Sequence, residues 1–536
     1  RRIVERAGGI PLFIEELARS VAAARHQEHL PLRLQELLAA RLRAPGIDLR
    51  LAQLAATFGP VFDRALLAQL ASIPVDRGLA DLEAAGIVEP LGDPSGRAYQ
   101  FSHVLLRDAA YETQVLEVRR DAHRRIARML QAALEPSPGD AAVTAQHLDL
   151  AGEVTEAVST YVQAAQQAQV VASHLEARRL LSRALELLAT TPEGESREIT
   201  EIMVRMLRAL SVVSVFGYPH PEVLEDCEAA NELCRRHKDR PEVMPAEVGI
   251  WSYFFARAEH RIARAVIQRV AERIEVPQGA WFTPEVKSCL GFDLLYAGEL
   301  LQARTVLDES WSGFMARPPE ERVWSLWRLS YDPVALVATG LACLDALQGR
   351  SAHSEIWTAR AIERAEGLGR QGAFTLGFVT LYLAWLRMVM GDPAGSYRYG
   401  CQTIEIGERY GFDYWAVLGR PFVLISEPGV PMHPELMDRI EADMDAIGHW
   451  AFRPAYLGNE ARARALLGDL PGALETVEQA LALNQKLEEW IHQPDLLRLR
   501  AELRALADGG RMGEVVDDLH SAVEAGMSQG SLALAL

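Results

Sequence analysis

The sequence predicts a mostly α-helical protein in three parts: a small helical segment, a mixed module with a two-stranded hairpin, and a long array of helix hairpins. Three observations carry this. Apolar residues recur at helical spacing along most of the 536 residues. One stretch, Ile87 to Phe101, reads instead as two strand-like runs around a turn. Beyond about residue 140, a glycine-led signature of small residues recurs at turn after turn.

Taken in order, residues 3–24 form an amphipathic pattern broken at Gly8-Gly9-Ile10-Pro11, and proline suits a first helical turn, so a helix restarts there. Leu32, Leu34, Leu37, Leu38 and Leu42 mark the next helix, stopped by Pro45-Gly46. Leu51, Leu54 and Ala55, then Leu66, Leu67 and Leu70, suggest two short helices. Another runs from about Val75 to Ala85 and stops at Gly86, a plausible left-handed cap. Ile87 to Leu91 and Arg97 to Phe101 flank Gly92-Asp93-Pro94-Ser95-Gly96, the composition of a hairpin loop. Three helices followed by a hairpin is a winged-helix-like order. Asp76, Arg77, Asp81 and Glu83 make its third helix acidic, the wrong balance for entering a major groove. His103 falls at a strand-to-helix corner, where a polar side chain can face a ligand while Phe101, Val104 and Leu105 serve a core. Arg119, Arg120, Arg124, Arg125 and Arg128 then give one helix a basic face, expected to pair with carboxylates.

The array is read from its turns. Gly152, Gly298, Gly349, Gly391 and Gly468 are each followed, at five, nine and twelve residues, by small, variable and small positions. These are Ala157, Tyr161 and Ala164; Ala303, Leu307 and Ser310; Ser354, Thr358 and Ala361; Ser396, Gly400 and Thr403; Ala473, Val477 and Ala480. Small residues seven apart let one helix of a hairpin approach its partner closely. Tetratricopeptide repeats pack in this way, and a tetratricopeptide-like α-solenoid over 140–536 is the expectation. The unit is longer than usual, with 42 residues from Gly349 to Gly391, a degenerate turn at Ala258-Glu259, and a missing turn expected near Pro428-Gly429. A non-repetitive helical bundle is the competing reading. Trp281, Trp311, Trp324, Trp327 and Trp357 enrich the middle in aromatics, expected in the repeat core.

Composition narrows the function. A net charge of −18 with three lysines, Lys238, Lys287 and Lys486, argues against nucleic-acid binding. No lysine follows a glycine, so no phosphate-cradling P-loop is present, and HExxH and GxSxG patterns are also missing. The chain thus shows no catalytic site and no metal-ligand spacing of its own. Five cysteines without CxxC spacing fit unpaired, buried thiols in a reducing cytoplasm. No apolar run is read as approaching the roughly 20 residues of a membrane helix. The opening Arg1-Arg2-Ile3-Val4 falls mid-pattern, and a segment of a longer polypeptide is expected.

Gly9-Ile10-Pro11-Leu12 resembles the glycine-any-proline motif of the signal-transduction ATPases with numerous domains, the STAND class. In that class a P-loop ATPase is followed by a helical domain, a winged helix and a repeat array. The resemblance implies that Pro11, beside Gly9, lies against the adenine of bound nucleotide, and that His103 contacts the β-phosphate of ADP in the closed state. ATP or ADP would be the cofactor of the longer protein, with none bound by this chain alone. The run Phe101-Ser102-His103-Val104-Leu105-Leu106-Arg107-Asp108, with Pro494-Asp495-Leu496-Leu497, resembles bacterial multidomain adenylate/guanylate cyclases. Some relatives of these end in a LuxR-type helix-turn-helix. The resemblance therefore implies residues 1–44 ending the ATPase's helical domain, 45–135 a winged-helix-like domain, and 140–536 the repeats. It also implies an upstream cyclase and ATPase, and a protein or peptide effector on the concave face of the array. A LuxR-type activator with its DNA-binding domain outside this chain is the alternative.

Overall fold

The computed structural model describes residues 34–71, 74–92, 97–132, 139–237, 243–274, 280–319, 322, 330–427, 430–431, 435–507 and 512–531. Gly9, Pro11, Trp324 and Trp327 lie outside these residues. Compactness divides the chain into residues 1–164 and 165–536.

The first unit opens with α1 (Leu34–Leu42) and α2 (Leu49–Phe58), followed by β1 (Val61–Asp63), α3 (Arg64–Ala71) and α4 (Asp76–Ala84). Then come β2 (Val88–Pro90), β3 (Ala98–Phe101), α5 (Val104–Glu112), α6 (Leu116–Gln131), α7 (Asp140–Ala151) and α8 (Val154–Val170). Asp48 caps α2 by accepting the Leu51 N–H at 3.0 Å, which satisfies one of the donors a helix start leaves free. The buried face of α2 (Leu51, Ala52, Ala55) joins Phe62, Leu67, Leu79, Leu82 and Phe101 in one core.

The expected two-stranded hairpin is a three-stranded antiparallel sheet of order β1-β3-β2. The extra strand, Val-Phe-Asp, is too short to show an alternating pattern in the sequence. Phe62 fixes it, with its ring 6.0 Å from Tyr99 and 5.9 Å from Phe101. Pro90 sits on the edge strand β2, where a missing donor is tolerated.

In the second unit, helices follow one another as hairpins. They are α9 (His174–Ala189), α10 (Glu195–Phe216), α11 (Pro221–Arg236), α12 (Val243–Ala256), α13 (His260–Ile274), α14 (Thr283–Tyr296), α15 (Leu300–Ala316), α16 (Pro333–Leu347) and α17 (Ser351–Gly367). Next come α18 (Ala373–Val389), α19 (Pro393–Tyr410), α20 (Asp413–Gly419), β4 (Ile425–Glu427), β5 (Val430–Pro431), α21 (Glu435–Ile447), α22 (Arg453–Leu466), α23 (Leu470–Leu487), α24 (Gln493–Ala507) and α25 (Met512–Gln529). Helices adjacent in the chain pack most closely, above all the pairs α14–α15, α16–α17, α18–α19, α22–α23 and α24–α25, as in a tetratricopeptide-like solenoid.

The turn register is visible in the backbone. Gly152, Gly298, Gly349, Gly391 and Gly468 all have φ between 74° and 84°, the left-handed region glycine enters without strain. Every small position counted from them is buried. Ala258 (φ 57°) makes the same turn and leads to buried Ala263, Ile267 and Val270. Ala172 (φ 60°) makes another, leading to Ala177, Leu181 and Ala184, which the glycine pattern could not reveal. Pro428 and Gly429, where a further turn is expected, lie outside the described residues. The short helix α20 gives way to a 3-10 turn at Arg420–Val423 and the strand pair β4–β5, so this unit is not a plain helix hairpin.

A recurring ion pair stitches helix to helix. Asp226 on α11 meets Arg208 of α10 at 2.7 Å, Asp293 on α14 meets Arg264 of α13 at 2.7 Å, and Asp518 on α25 meets Arg500 of α24 at 2.6 Å. Burial pushes the Asp226 and Asp293 carboxyls up in spite of their arginines.

Two expectations change here. The stretch Gly369–Val389 is long and apolar enough to cross a membrane, yet 83% of it is buried inside the fold, as a core helix. Polar residues such as Thr375, Thr380 and Arg387 break its apolar run in the sequence, which hides its length. The inner face of the array is also not left open. All of α16 and nearly all of α18 are buried, so these helices are covered on every side. The array curls until Trp450 and Ala451 donate their N–H groups to Ala256 O, at 2.9 and 3.1 Å, and aromatic side chains line the space between.

Candidate functional site

At the predicted corner, β3 ends at Phe101 and the backbone stays extended at His103 (φ −151°, ψ 139°) before α5 begins. Ser102 fixes the corner by donating its hydroxyl to Gly86 O at 2.6 Å and its N–H to Ile87 O at 3.0 Å. His103 is half-buried and caps α5, with Nδ1 accepting the Leu105 N–H at 3.1 Å. A neutral ring held in this way carries its hydrogen on Nε2, so the other edge of His103 is a donor. Pro11 and Gly9 lie outside the described residues.

The basic face of α6 is paired within its own unit. Arg124 meets Glu153 at 2.6 Å, Arg128 meets Glu156 at 2.8 Å, and the Arg119 guanidinium lies 4.8 Å from the Tyr111 ring centroid. Beneath it, His123 Nδ1 and His147 Nδ1 are 2.8 Å apart, and His123 Nε2 is 2.8 Å from the Tyr111 hydroxyl. Burial, with the neighbouring His147, pushes His123 down to about 3, and burial pushes His147 down to about 4. Both rings are neutral at pH 7, which lets one nitrogen donate to the other.

The concave chemistry of the molecule lies in the second unit. Trp251 from α12, Tyr296 from α14, Tyr382 from α18, Trp415 from α20 and Phe452 before α22 line a chamber with Tyr218 and His449. The cavity between them has a volume of about 60 Å3. No charged side chain lines it. The rings meet edge to face, with Tyr382 5.0 Å and Tyr296 5.4 Å from Phe452. The Tyr296 and Tyr382 hydroxyls pair at 2.9 Å. Tyr414 OH is 2.7 Å from His449 Nδ1, and burial pushes the imidazole down to about 4, so it is neutral.

A buried carboxylate stands behind the wall residue Phe452. Glu489 Oε1 stands 3.0 Å from His260 Nε2, and Oε2 accepts the Phe452 N–H at 3.2 Å. His492 Nε2 is 3.4 Å from the same Oε2, too poorly aligned for a hydrogen bond. Burial alone would push this carboxyl up, but the His260 hydrogen bond and the two imidazoles hold it at about 2. Phe452 itself sits at φ 68°, a conformation costing a bulky residue on the order of 1–3 kcal/mol, and its bond to Glu489 helps hold it there.

None of these chamber residues was singled out from the sequence. Trp251, Tyr296, Tyr382 and Trp415 come one to a helix, α12 and α18 being apolar on nearly all faces, and Tyr218, His449 and Phe452 come from the segments between helices. The usable signal is that all-round apolarity, which marks an inner layer covered on both sides. Among the described residues no cluster of His, Cys, Asp or Glu could hold a metal ion. Cys227, Cys234, Cys289 and Cys343 are buried, and Cys401 is half-buried.

Comparison with known proteins yields one sequence relative and remote structural likenesses. No family model matches the chain. An uncharacterized protein of Rhizobium meliloti strain 1021 is 25% identical over 568 residues, covering 98% of this chain and 52% of that protein. The chain thus spans about half the length of the curated relative it matches. A signal transduction ATPase with numerous domains and a tetratricopeptide repeat sensor, from Pyrococcus horikoshii, is 12% identical. That likeness covers 98% of this chain and 69% of the other, with a TM-score of 0.39. A chain of the APC/C hetero-tetramer Cut9–Hcn1 is 11% identical, covering 88% of this chain and 93% of that one, with a TM-score of 0.30. At these scores neither likeness bears on the fold, which stands on the packing described above.

Proposed function

We propose that this chain is the regulatory and protein-interaction region of a nucleotide-switched signal-transduction ATPase, non-catalytic by itself, whose output is a class III nucleotide cyclase. Residues 1–44 close the ATPase's helical domain, 45–135 form a winged-helix-like domain, and 140–536 form a sensor array for a protein or peptide effector. The observation that carries this reading is the element order α2-β1-α3-α4-β2-β3 with sheet order β1-β3-β2, leading through His103 into the helices that follow. The exposed acidic residues of α4 support a regulatory rather than a nucleic-acid role for that module. The burial of Gly369–Val389 supports a cytoplasmic protein with no membrane partner.

The nucleotide this implies is ADP, held jointly with the upstream ATPase domain. His103 fits such a ligand, because Nδ1 is occupied by the Leu105 N–H and the remaining hydrogen, on Nε2, can be donated to a phosphate oxygen. Pro11, beside Gly9, would offer an apolar surface to the base. ADP supplies a bridge between modules, and can bias their arrangement only by its difference in affinity for the closed and open forms.

The test uses the longer protein. Losing one charge-assisted hydrogen bond, His103→Ala should weaken ADP retention about tenfold and raise output without effector. His103→Asn keeps a side-chain cap on α5 while its shorter amide sets its hydrogens short of the Nε2 position, which separates loss of that donor from loss of the cap. If both variants hold ADP as tightly as the parent and show its basal output, His103 is structural and this proposal fails.

A further inference from the structure

We infer that the outward face of α25 is a docking surface for an amphipathic helix of a partner protein, one that carries Arg or Lys along one side of its apolar stripe. On a helix with one face packed, the face turned to solvent is ordinarily polar. On α25 that face holds Met512, Val516, Leu519, Val523 and Met527, each between 37% and 66% exposed. Their spacing of four, three, four and four residues aligns them in one stripe along the helix. Single exposed apolar residues are ordinary on any surface, whereas a continuous stripe marks an interaction site.

The opposite face holds the helix in place. Val515, Asp518, Ala522, Gly526 and Gln529 are buried. The Asp518 carboxylate meets Arg500 at 2.6 Å and Arg504 at 2.8 Å. Gln529 donates its amide N–H to Trp490 O at 2.6 Å, and the Ser531 hydroxyl donates to Leu347 O at 2.9 Å. A surface anchored in this way is ordered before a partner arrives, so little binding free energy is lost to ordering it.

Charge specifies the occupant. Asp517, His520 and Glu524 are exposed and run along one side of the stripe. Among the described residues neither Asp517 nor Glu524 has an ion-pair partner, and α25 contains no Lys or Arg. An incoming helix with apolar residues at matching spacing buries the stripe, and basic residues beside its own stripe reach the two carboxylates. These carboxylates stand about 10 Å apart along the helix axis, so basic residues seven apart in the partner match them. A second copy of this chain would instead set acidic row against acidic row in an antiparallel pair, with a net charge of −18 on each copy. A lipid surface is disfavoured as well, because helices that lie on membranes carry Lys and Arg beside their apolar face.

The surface lies on the last helix of the array and not on its covered inner face. It names the partner class for the sensor reading and rests on that reading for its output alone. Binding is measured on this chain and switching on the longer protein, so either can fail without the other.

The test titrates the purified chain with a dye-labelled three-heptad peptide that has Leu at its apolar positions and Arg beside them, read by fluorescence anisotropy. Peptides with Gln or Glu in place of Arg are the comparison. Saturation of the Arg peptide by about 0.1 mM is expected. The Gln peptide should bind about fivefold more weakly and the Glu peptide more weakly still, with high salt closing the gap. Leu519→Gln and Val523→Gln should weaken every peptide about tenfold and leave the melting temperature unchanged, since both side chains are exposed. Asp517→Asn with Glu524→Gln should bring the Arg peptide to the level of the Gln peptide and leave the latter as it was. Failure of the Arg peptide to saturate overturns the proposal, and so does saturation that Leu519→Gln leaves unchanged. A dimer of the parent chain that Leu519→Gln dissociates would assign the stripe to a second copy and overturn it. So would co-sedimentation with phosphatidylcholine vesicles that Leu519→Gln abolishes, which would assign the stripe to a lipid surface. In the longer protein, Leu519→Cys should react with a maleimide above the parent's background as fast as in this chain. Protection there would show the stripe covered by the rest of the polypeptide, and would overturn the proposal too.

Discussion

His260 and Glu489 are 229 positions apart in the sequence and 3.0 Å apart in the fold. A tetratricopeptide-like array normally contacts only its neighbouring units. Here the chain curls far enough for the start of α13 to meet the residue before the 3-10 turn that leads into α24, and the contact is a buried carboxylate with an imidazole. Beside it, exposed Arg261 meets Glu488 at 2.5 Å, a bridge of little energetic weight.

Removing the buried partner should therefore be felt across the array. Glu489→Leu strips the Phe452 N–H of its acceptor and leaves His260 unpaired, and breaking a buried pair in this way costs about 3–5 kcal/mol. Arg261→Gln, its exposed neighbour, should stay within about 0.5 kcal/mol of the parent. Chemical denaturation followed by tryptophan fluorescence separates the two. Equal midpoints for Glu489→Leu and the parent would show that the long-range contact does not stabilise the fold.

The repeat register predicts a second contrast. Ala177 and Ala473 are fully buried where one helix approaches another, and added methylenes there cost about 1–3 kcal/mol by overpacking. Ala177→Leu and Ala473→Leu should each lower the melting temperature, and Glu475→Gln, at an exposed position, should not. Ala177 is the sharper case, because its turn is made by Ala172 rather than by glycine.

That case also shows what the sequence could and could not tell. Turn and small-residue spacing were legible wherever glycine marks the left-handed residue, and at Ala258 the following acidic residue still gave the turn away. At Ala172 no local signal remained. The β1 strand was missed because three residues cannot display a period. The corner at His103 was legible as a change from strand to helix spacing, whereas the tautomer that makes Nε2 a donor depends on a hydrogen bond visible only in three dimensions. The chamber was illegible for a different reason. Tyr218, Trp251, Trp415 and His449 share no local pattern, and only the curl of the array brings them together.

Acid should destabilise the protein from a pH well above the carboxylate range. His147, His174 and His449 are each pushed down to about 4 by burial, and His123 to about 3 by burial and its neighbour His147. Below their ordinary value of 6.5 the unfolded chain thus binds more protons than the folded one, and stability falls as pH falls from about 6.5 toward 4. Glu489, held at about 2, contributes stability that is lost only below its ordinary 4.5, so it does not offset this loss. Each buried imidazole adds at most about 1.4 kcal/mol per pH unit. The melting temperature should be flat from pH 8 to 7 and drop steadily from 6.5 to 4.5, with a shallower slope in His449→Gln. A midpoint constant down to pH 4.5 would show that these rings take up protons in the folded state.

The last prediction concerns the residue against which the chamber is built. Gly217, at the end of α10, has φ 88°, and a Cβ placed on it would stand 2.1 Å from Cδ2 of the buried Tyr414 ring. Two penalties therefore fall on Gly217→Ala: a left-handed backbone, and a methyl group inside a ring that cannot retreat because its hydroxyl is held by His449. Moving the ring breaks that bond and opens the wall between Tyr218 and Tyr414, whose centroids are 6.0 Å apart. A loss well above the roughly 1 kcal/mol of an ordinary glycine replacement in a strained position is expected. Gly194→Ala is the control, because nothing lies within 4 Å of its added Cβ. The double variant Gly217→Ala with Tyr414→Ala separates the two penalties, since removing the ring relieves the clash but not the backbone strain. If the double variant is less stable than Tyr414→Ala alone by as much as Gly217→Ala is less stable than the parent, the clash contributes nothing and backbone strain alone accounts for the loss.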